Sequence, residues 1–466
     1  MNQLVNDIHS QLNPTSVSKI IQVDSLQDIR EVIVEAHQQG KAISIAGKRH
    51  AMGAQQFGTD TILIDTTRLN QVISFDDEKG ILEVEAGIQW PELVRASIEV
   101  QPRRVRAWGI AQKQTGADGL TLGGTLAANG HGRGLTMRPI IADVESFLLV
   151  DAFGEILRCS RKQNSELFRL AIGGYGLFGV IYSIKLRLAF WHKVERVAEV
   201  ITIDRLPAAF EQRIAAGFLY GDFQFCPDEQ SDNFLREGIL ACYRPVRPDT
   251  PLPANQQELS MDDWQELFYL AHADKSEAYR RYVNHYLKTS GQIYESDTHQ
   301  LSVYLENYHH NLDKRMKAAH PASEIITEVY VPREALPDFM AAVRDDFLAN
   351  EVNLIYGTIR LIEQDEESFL AWAKQPYACI VFNLHTVHTP AGIEHSAAAF
   401  RRLIDMAMAR GGSYFLTYHK FATRHQVGAC YPQLPEFLRL KAQYDPEERF
   451  QSDWYRHYKQ MFADIL

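Results

Sequence analysis

The sequence predicts an α+β protein built in two main parts, and three observations carry that reading. At 466 residues the chain is too long for one ordinary core, so two domains are expected. Beyond about residue 190, helical patterns (264–287, 336–350, 393–410) alternate with strand patterns (324–331, 352–361, 377–384, 414–419). That mixture suggests an antiparallel sheet covered by helices. Before residue 190, short strands and helices surround a stretch dense in glycine. The expected divisions are residues 1–190, 191–430 and a C-terminal segment, 431–466.

Taken in order, the first helix spans 25–40, where Leu26, Ile29, Val32, Ile33 and Ala36 recur at helical spacing and Gly40 ends the run. A strand at 42–46 leads into the turn Gly47-Lys48-Arg49-His50. A second strand lies at 61–65, and 80–87 alternates apolar and acidic residues as a half-buried strand does. Residues 90–98 read as a helix with Pro91 tolerated in its first turn. Residues 109–134 hold Gly109, Gly116, Gly119, Gly123, Gly124, Gly130, Gly132 and Gly134. So many glycines imply unusual dihedrals or close approach of the backbone to something. Strands at 144–151 and 180–189 flank a short helix near 166–172, and the proline-rich 245–253 reads as an exposed loop.

Lys and Arg number 48 against 59 Asp and Glu, a net charge of −11. Such a chain has no electrostatic reason to hold nucleic acid or an anionic membrane. The small cluster Arg103, Arg104, Arg106 reads as a solvated surface feature. Five scattered cysteines without a CxxC read as reduced thiols of a cytoplasmic protein. No secretory signal and no apolar run of membrane-spanning length is visible.

Gly174-Tyr175-Gly176-Leu177-Phe178-Gly179 matches GxGxxG, but a helix precedes it and a strand follows it. A dinucleotide fingerprint needs the reverse order, so that pyrophosphate meets a helix N-terminus. The stronger signal is joint. The loop Ala46–Gly53 follows a strand and can aim backbone N–H groups at a pyrophosphate. Residues 116–134 offer further close backbone approach, and residues 173–179 enter a strand.

Together these segments resemble the FAD-binding domain of the vanillyl-alcohol oxidase and p-cresol methylhydroxylase superfamily. Its members include aldonolactone and alditol oxidases, cytokinin dehydrogenase and decaprenylphosphoryl-ribose oxidase. The resemblance covers residues 15–190 most strongly. It implies a two-part FAD-binding domain of the p-cresol methylhydroxylase type over 1–190, and a substrate (cap) domain over 191–430. The segment 431–466 would return toward the first domain. Gly47, Lys48, Arg49 and His50, with Ala51, Met52 and Gly53, look like the family's pyrophosphate loop. Gly116 and the run Leu122-Gly123-Gly124-Thr125-Leu126-Ala127-Ala128-Asn129-Gly130-His131-Gly132 look like the segment beside the flavin. Gly179, Val180 and Ile181 look like its closing motif. Thr417-Tyr418-His419-Lys420 resembles the active-site strand of the aldonolactone branch, roughly His-Trp-Gly-Lys there. The departure means that the substrate need not be an aldonolactone.

His50 sits where many relatives attach FAD covalently, and imidazole is a competent nucleophile for that bond; the plainer alternative is a histidine that only hydrogen-bonds phosphate. No cysteine between Val100 and Gly134 can supply a second tether. His131, between glycines, is expected to touch flavin or phosphate. Gly130 either leaves room for oxygen beside the flavin or simply makes a tight turn. Arg360, in the strand 356–361, would hold a polar substrate by paired hydrogen bonds, or is an ordinary surface arginine. In a strand 414–419, Tyr418 and Lys420 share a face and His419 takes the other. Lys420 is then the expected proton acceptor, Tyr418 its companion and His419 a reserve. His385 and His388 point to opposite faces, and His309-His310 lacks partners at ligand spacing, so no metal is expected.

The expected function is an FAD-dependent oxidase that removes a hydride from a carbinol of a small polar substrate, a sugar, polyol or related molecule, and passes electrons to oxygen. The alternative is a dehydrogenase with another electron acceptor, including one acting on a lipid-linked sugar. A flavin binder without catalysis, a third class, has no reason to keep Lys420 and Arg360.

Overall fold

In a computed structural model describing residues 2–101, 106–116, 118–303, 305 and 307–466, the chain forms an α+β architecture of three principal sheets. A hairpin of β1 (Gln3–Val5) and β2 (Thr15–Val17) precedes a parallel sheet of β3 (Lys19–Gln22), β4 (Ile43–Ala46) and β5 (Ile62–Asp65), ordered β3-β5-β4. The helix α1 (Leu26–Gln38) links β3 to β4. Ser25 caps it through Asp28 N, and Ile29, Val32, Ile33 and Ala36 are its buried stripe.

The second sheet is antiparallel and contains β6 (Val72–Asp76), β7 (Ile81–Glu85), β9 (Val144–Val150), β10 (Ile156–Ser160) and β11 (Val180–Arg187), in the order β10-β9-β11-β7-β6. Between its strands run α2 (Trp90–Glu99), the short β8 (Trp108–Gly109), α3 (Leu122–Ala128) and α4 (Ser165–Ala171); β8 pairs with β12 (Ala189–Phe190). The glycine-dense stretch therefore encloses a helix, which Thr121 caps through Gly124 N. Around Gly174–Gly179, α4 comes before and β11 after, the order that disqualifies a nicotinamide fingerprint.

The third sheet has eight antiparallel strands: β13 (Lys193–Thr202), β14 (Tyr220–Phe225), β15 (Glu237–Val246), β16 (Ile293–Glu295), β17 (Ala322–Pro332), β18 (Leu354–Ile362), β19 (Tyr377–Val387) and β20 (Ser413–Tyr414). Their order is β16-β13-β15-β14-β18-β19-β17-β20. Apolar residues of α9 (Leu336–Ala349) and α10 (Pro390–Met408), such as Phe339, Val343, Phe400 and Leu403, join the core beneath it, with α5 (Leu206–Ala215) nearby. The opposite face carries buried polar residues and meets α6 (Met261–Ala273), α7 (Lys275–Lys288) and α8 (Tyr308–Met316). The chain ends in α11 (Arg424–Cys430), α12 (Leu434–Tyr444) and α13 (Asp453–Met461). This segment comes back to the N-terminal sheet: Ile43 bridges Phe450, and Trp454 packs 4.6 Å from Tyr175. One apolar cluster reaches from Met52 to Phe462 and joins the two antiparallel sheets, while Ile43, Ile62 and Ile64 of the parallel sheet pack in a second cluster with Val150, Val180 and Phe450.

Three expectations need correction. The pattern 264–287 is two helices, because Asp274 turns the chain and caps α7 through Glu277 N. The strand expected at 414–419 stops at Tyr414; residues 415–420 leave the sheet and are held by Gln55, whose amide donates to the Leu416 and Thr417 carbonyls. Arg106 is not solvated: its guanidinium is mostly buried and pairs with Glu295 and Asp297. Arg103 and Arg104 lie outside the described residues. All five cysteines are free and buried, as reduced thiols should be. No helix is long and apolar enough to cross a membrane among the described residues.

Candidate functional site

A cleft, with about 1420 Å³ of empty space including its open mouth, is lined by residues from His9 to Ile181 together with Ile326, Phe415, Thr417 and Tyr418. One wall is the loop after β4, where Gly47, Lys48, Arg49, His50, Ala51 and Met52 all face the cleft. A Cβ at Gly47 would lie 2.3 Å from Thr121 Oγ1, the atom that caps α3, so this loop can touch α3 only as glycine. A Cβ at Gly53 would lie 2.3 Å from the Tyr418 carbonyl, which locks the loop to the segment after β20. The facing wall is made by Gly116, Gly123, Gly124, Thr125 and Ala128, and Tyr175, Gly179 and Ile181 close the side. These walls fit FAD. Backbone N–H groups along Gly47–Met52, with the Lys48 side chain, would hold the pyrophosphate, and the small residues of the other walls would hold flat rings.

His50 Nδ1 lies 2.8 Å from His9 Nε2, with the two rings tilted 4.8 Å apart. Burial, with His9 and Lys48 nearby, pushes His50 down to about 2, and burial pushes His9 down to about 4. Both rings are therefore neutral at ordinary pH, the state in which an imidazole nitrogen is nucleophilic.

Tyr418 also lines the cleft, and its hydroxyl donates to Glu328 Oε2 at 2.9 Å. Glu328, on β17, is fully buried and collects three more partners on Oε1: His131 Nε2 at 2.7 Å, the Tyr330 hydroxyl at 2.8 Å and Cys379 Sγ at 2.9 Å. Burial alone would raise this carboxyl, but His131 beside it and the donors hold it at about 2, so it stays ionised. His131 Nδ1 faces the Gly132 carbonyl at 3.0 Å, which can only accept. Nε2 of the same ring meets Glu328 on the other side, so His131 is held between two oxygen atoms.

Strand alternation and register place Asp222, Gln224, Thr358, Arg360 and Asn383 on the same sheet face as Glu328. Each has a buried polar atom without a hydrogen-bond partner among the described residues: Asp222 Oδ1, Gln224 Oε1, Thr358 Oγ1, Arg360 Nε and Asn383 Oδ1. Arg360 makes no ion pair among them either. Tyr356, on this face, keeps 38% exposure. Orphaned polar atoms gathered on one face are costly unless a polar ligand meets them, so this face reads as a substrate chamber beside the cleft. Lys113 borders it, wholly buried, its ammonium 2.7 Å from Asp118 and lowered by burial.

The remaining sequence candidates stand behind these walls. Leu122 and Val180 are core residues. Asn129 takes the left-handed conformation at the end of α3, and its amide donates to Asp365 and Ser368. Gly132 packs on Gln112 and Lys113. A Cβ at Gly130 would lie 2.3 Å from the Gln114 side-chain oxygen, so that side chain occupies the space beside Gly130. His131 reaches the cleft only through Glu328 and Tyr418. His419 is buried against Phe421 and lowered to about 4 by burial. Lys420, half-buried, feels Asp453 and His457 of α13 rather than the cleft, because the segment carrying it is not a strand. Glu328 and Lys113 were missed. Glu324 and Glu328, four apart in an otherwise apolar strand pattern, were a readable signal, since such residues share a face.

A family model described as an FAD-binding domain matches residues 17–160. The chain is 31% identical to L-gulonolactone oxidase of Bos taurus over 36% of each chain, so the match spans about a third of that relative's length. It is 24% identical to cytokinin dehydrogenase 9 of Oryza sativa over 93% of this chain and 83% of the relative. It is 22% identical to L-gulono-1,4-lactone dehydrogenase of Mycobacterium tuberculosis over 94% and 95%. An FAD-binding domain is thus matched over residues 17–160, and along almost its whole length the chain is similar to two dehydrogenases.

Proposed function

We propose that this chain oxidises a carbinol of a small, oxygen-rich substrate of the sugar-lactone kind, held on the polar face of the eight-stranded sheet. The carrying observation is the chain Tyr418–Glu328–His131, which starts at the cleft wall and ends on a buried histidine. FAD, bound in the cleft, would supply the hydride acceptor. Tyr418 accepts the proton of the substrate hydroxyl at its oxygen while its own proton passes to Glu328 Oε2, 2.9 Å away. Arg360, free of ion pairs among the described residues, orients substrate oxygens, and Asp222, Gln224 and Asn383 complete the polar lining. Residues 1–190 are proposed as the cofactor part and 191–430 as the substrate part. A bond from His50 to FAD is part of the proposal, supported by its neutral ring at the cleft wall.

A reading with an acceptor other than oxygen is favoured by two observations. Gln114 fills the space at Gly130, and the two relatives matched over nearly the whole chain carry the name dehydrogenase. The test is anaerobic bleaching of the purified yellow protein by a panel of aldonolactones, alditols and sugars, followed by mixing with air or with a quinone. Bleaching by a panel member with faster recovery by quinone supports the proposal. No bleaching by any member would overturn the substrate class, and fast recovery in air with peroxide release would restore the oxidase reading.

A further inference from the structure

A second polar cluster lies on the same sheet face, two side-chain repeats from Glu328, with Ile326 between. Glu324 on β17 stands directly across from His385 on β19. Its Oε1 is 2.7 Å from Nε2 of His272, in the last turn of α6, and 3.2 Å from Nδ1 of His385. Its Oε2 is 3.2 Å from Nδ1 of His309, in the first turn of α8, and accepts from the Tyr308 hydroxyl. Glu324 and His309 are buried. The ligand atoms of His272, Glu324 and His385 all fall within 4.8 Å of one another.

The orientation of His272 is informative. Its Nδ1 is 2.8 Å from the Phe268 carbonyl, which can only accept, so Nδ1 carries the proton. In a neutral ring Nε2 is then a lone pair aimed at a carboxylate oxygen, a repulsive contact unless something positive stands between them. A histidine that gives one N–H to a backbone carbonyl and turns the other nitrogen toward a carboxylate is oriented as metal-ligating histidines are. Ligand bonds of the usual zinc lengths put neighbouring tetrahedral ligand atoms roughly 3.3 Å apart, close to the spacings found here.

We propose that His272, His385, His309 and Glu324 form a binding site for a divalent first-row cation, best suited to Zn²⁺ by its three nitrogen donors and one carboxylate. The pairing is not the one that adjacent histidines in the sequence suggest. His385 joins His272 rather than His388, and His309 joins without His310. The ion ties α6 and α8 to β17 and β19, and so fastens the helices that cover the chamber onto the sheet.

The test uses the flavin-loaded full chain, treated with chelator and then dialysed against Zn²⁺ or Co²⁺. The expected result is one equivalent of zinc by elemental analysis, the visible bands of four-coordinate cobalt, and a thermal midpoint raised by a few degrees on adding zinc. His272→Gln and His385→Gln should each lose the bound metal while keeping the flavin absorbance, and His310→Ala, at an exposed position, should keep both. Binding well below one equivalent to the unsubstituted protein would overturn the site and leave a plain imidazolium–carboxylate pair. So would undiminished zinc in a soluble His272→Gln protein.

Discussion

Glu328 is a carboxylate kept ionised in a place with no water, and that is possible only because His131, Tyr330, Cys379 and Tyr418 surround it. Replacing it by Gln removes the carboxylate that Tyr418 and His131 both meet. Glu328→Gln is expected to slow flavin reduction by about 10²–10⁴-fold, the usual worth of a proton-transfer group, with FAD still bound; single-turnover kinetics checks it. At His50 the measurement is mass. The unsubstituted denatured chain is expected to be heavier than the polypeptide by one FAD, and His50→Ala to have the bare mass. An unmodified mass for the unsubstituted protein would remove the covalent bond and leave the binding site. At this scale the sequence was legible at Gly47–Met52, a glycine-bounded loop after a strand that lines the cleft. It was not legible for Lys420 or Gly130. What those positions face is decided by Asp453 and Gln114, which are distant or unremarkable in the sequence.

Among the elements, α1 followed from its one-faced periodicity, and β17 to β19 from runs rich in β-branched and apolar residues that are buried on both faces. The segment after β20 did not. Its alternation looks like a strand, but its carbonyls are taken by Gln55 and Trp454 instead of a neighbouring strand. The glycine-dense stretch hid α3, whose sequence Leu-Gly-Gly-Thr-Leu-Ala-Ala is a poor helix by propensity. It is held by its Thr121 cap and by close contact with Gly47 and Ala86, where Cβ atoms would clash. Gly47→Ala therefore pushes the loop off α3 at the cleft wall. The expected outcome is a protein that folds but purifies largely without FAD, read from the ratio of flavin to protein absorbance. Thr121→Val should cost about 1 kcal/mol as a lost cap, measurable by urea denaturation, and should weaken FAD retention less.

For the whole molecule, length and mixed patterning indicated an α+β chain, whereas the eight-stranded sheet was only half visible. Strands β13 to β15 are buried on parts of both faces or edged with charge, so they lack a clean alternation. The folded chain also hides several histidines in neutral form. His9 and His419 are lowered to about 4, and His50 to about 2, all mainly by burial. A histidine whose folded pKa lies below its unfolded value of 6.5 takes up protons more readily when unfolded. Its contribution to stability is thus whole above that value and shrinks as pH falls toward the folded pKa. Each group acts with about 1.4 kcal/mol per pH unit between those limits, while Asp143, raised to about 6 by burial, opposes them weakly. The thermal midpoint is expected to be flat above neutrality and to fall steeply from about pH 6.5 to 4; a flat profile over that range would show that these rings are solvated. The central claim, that substrate oxidation is driven from the Tyr418–Glu328 wall of an FAD cleft, is tested most directly by single-turnover flavin reduction in Tyr418→Phe and Lys420→Ala proteins. The expected result is a loss of about 10²-fold or more for Tyr418→Phe, with near-normal reduction for Lys420→Ala. The reverse pattern, with Tyr418→Phe near normal and Lys420→Ala inactive, would contradict it.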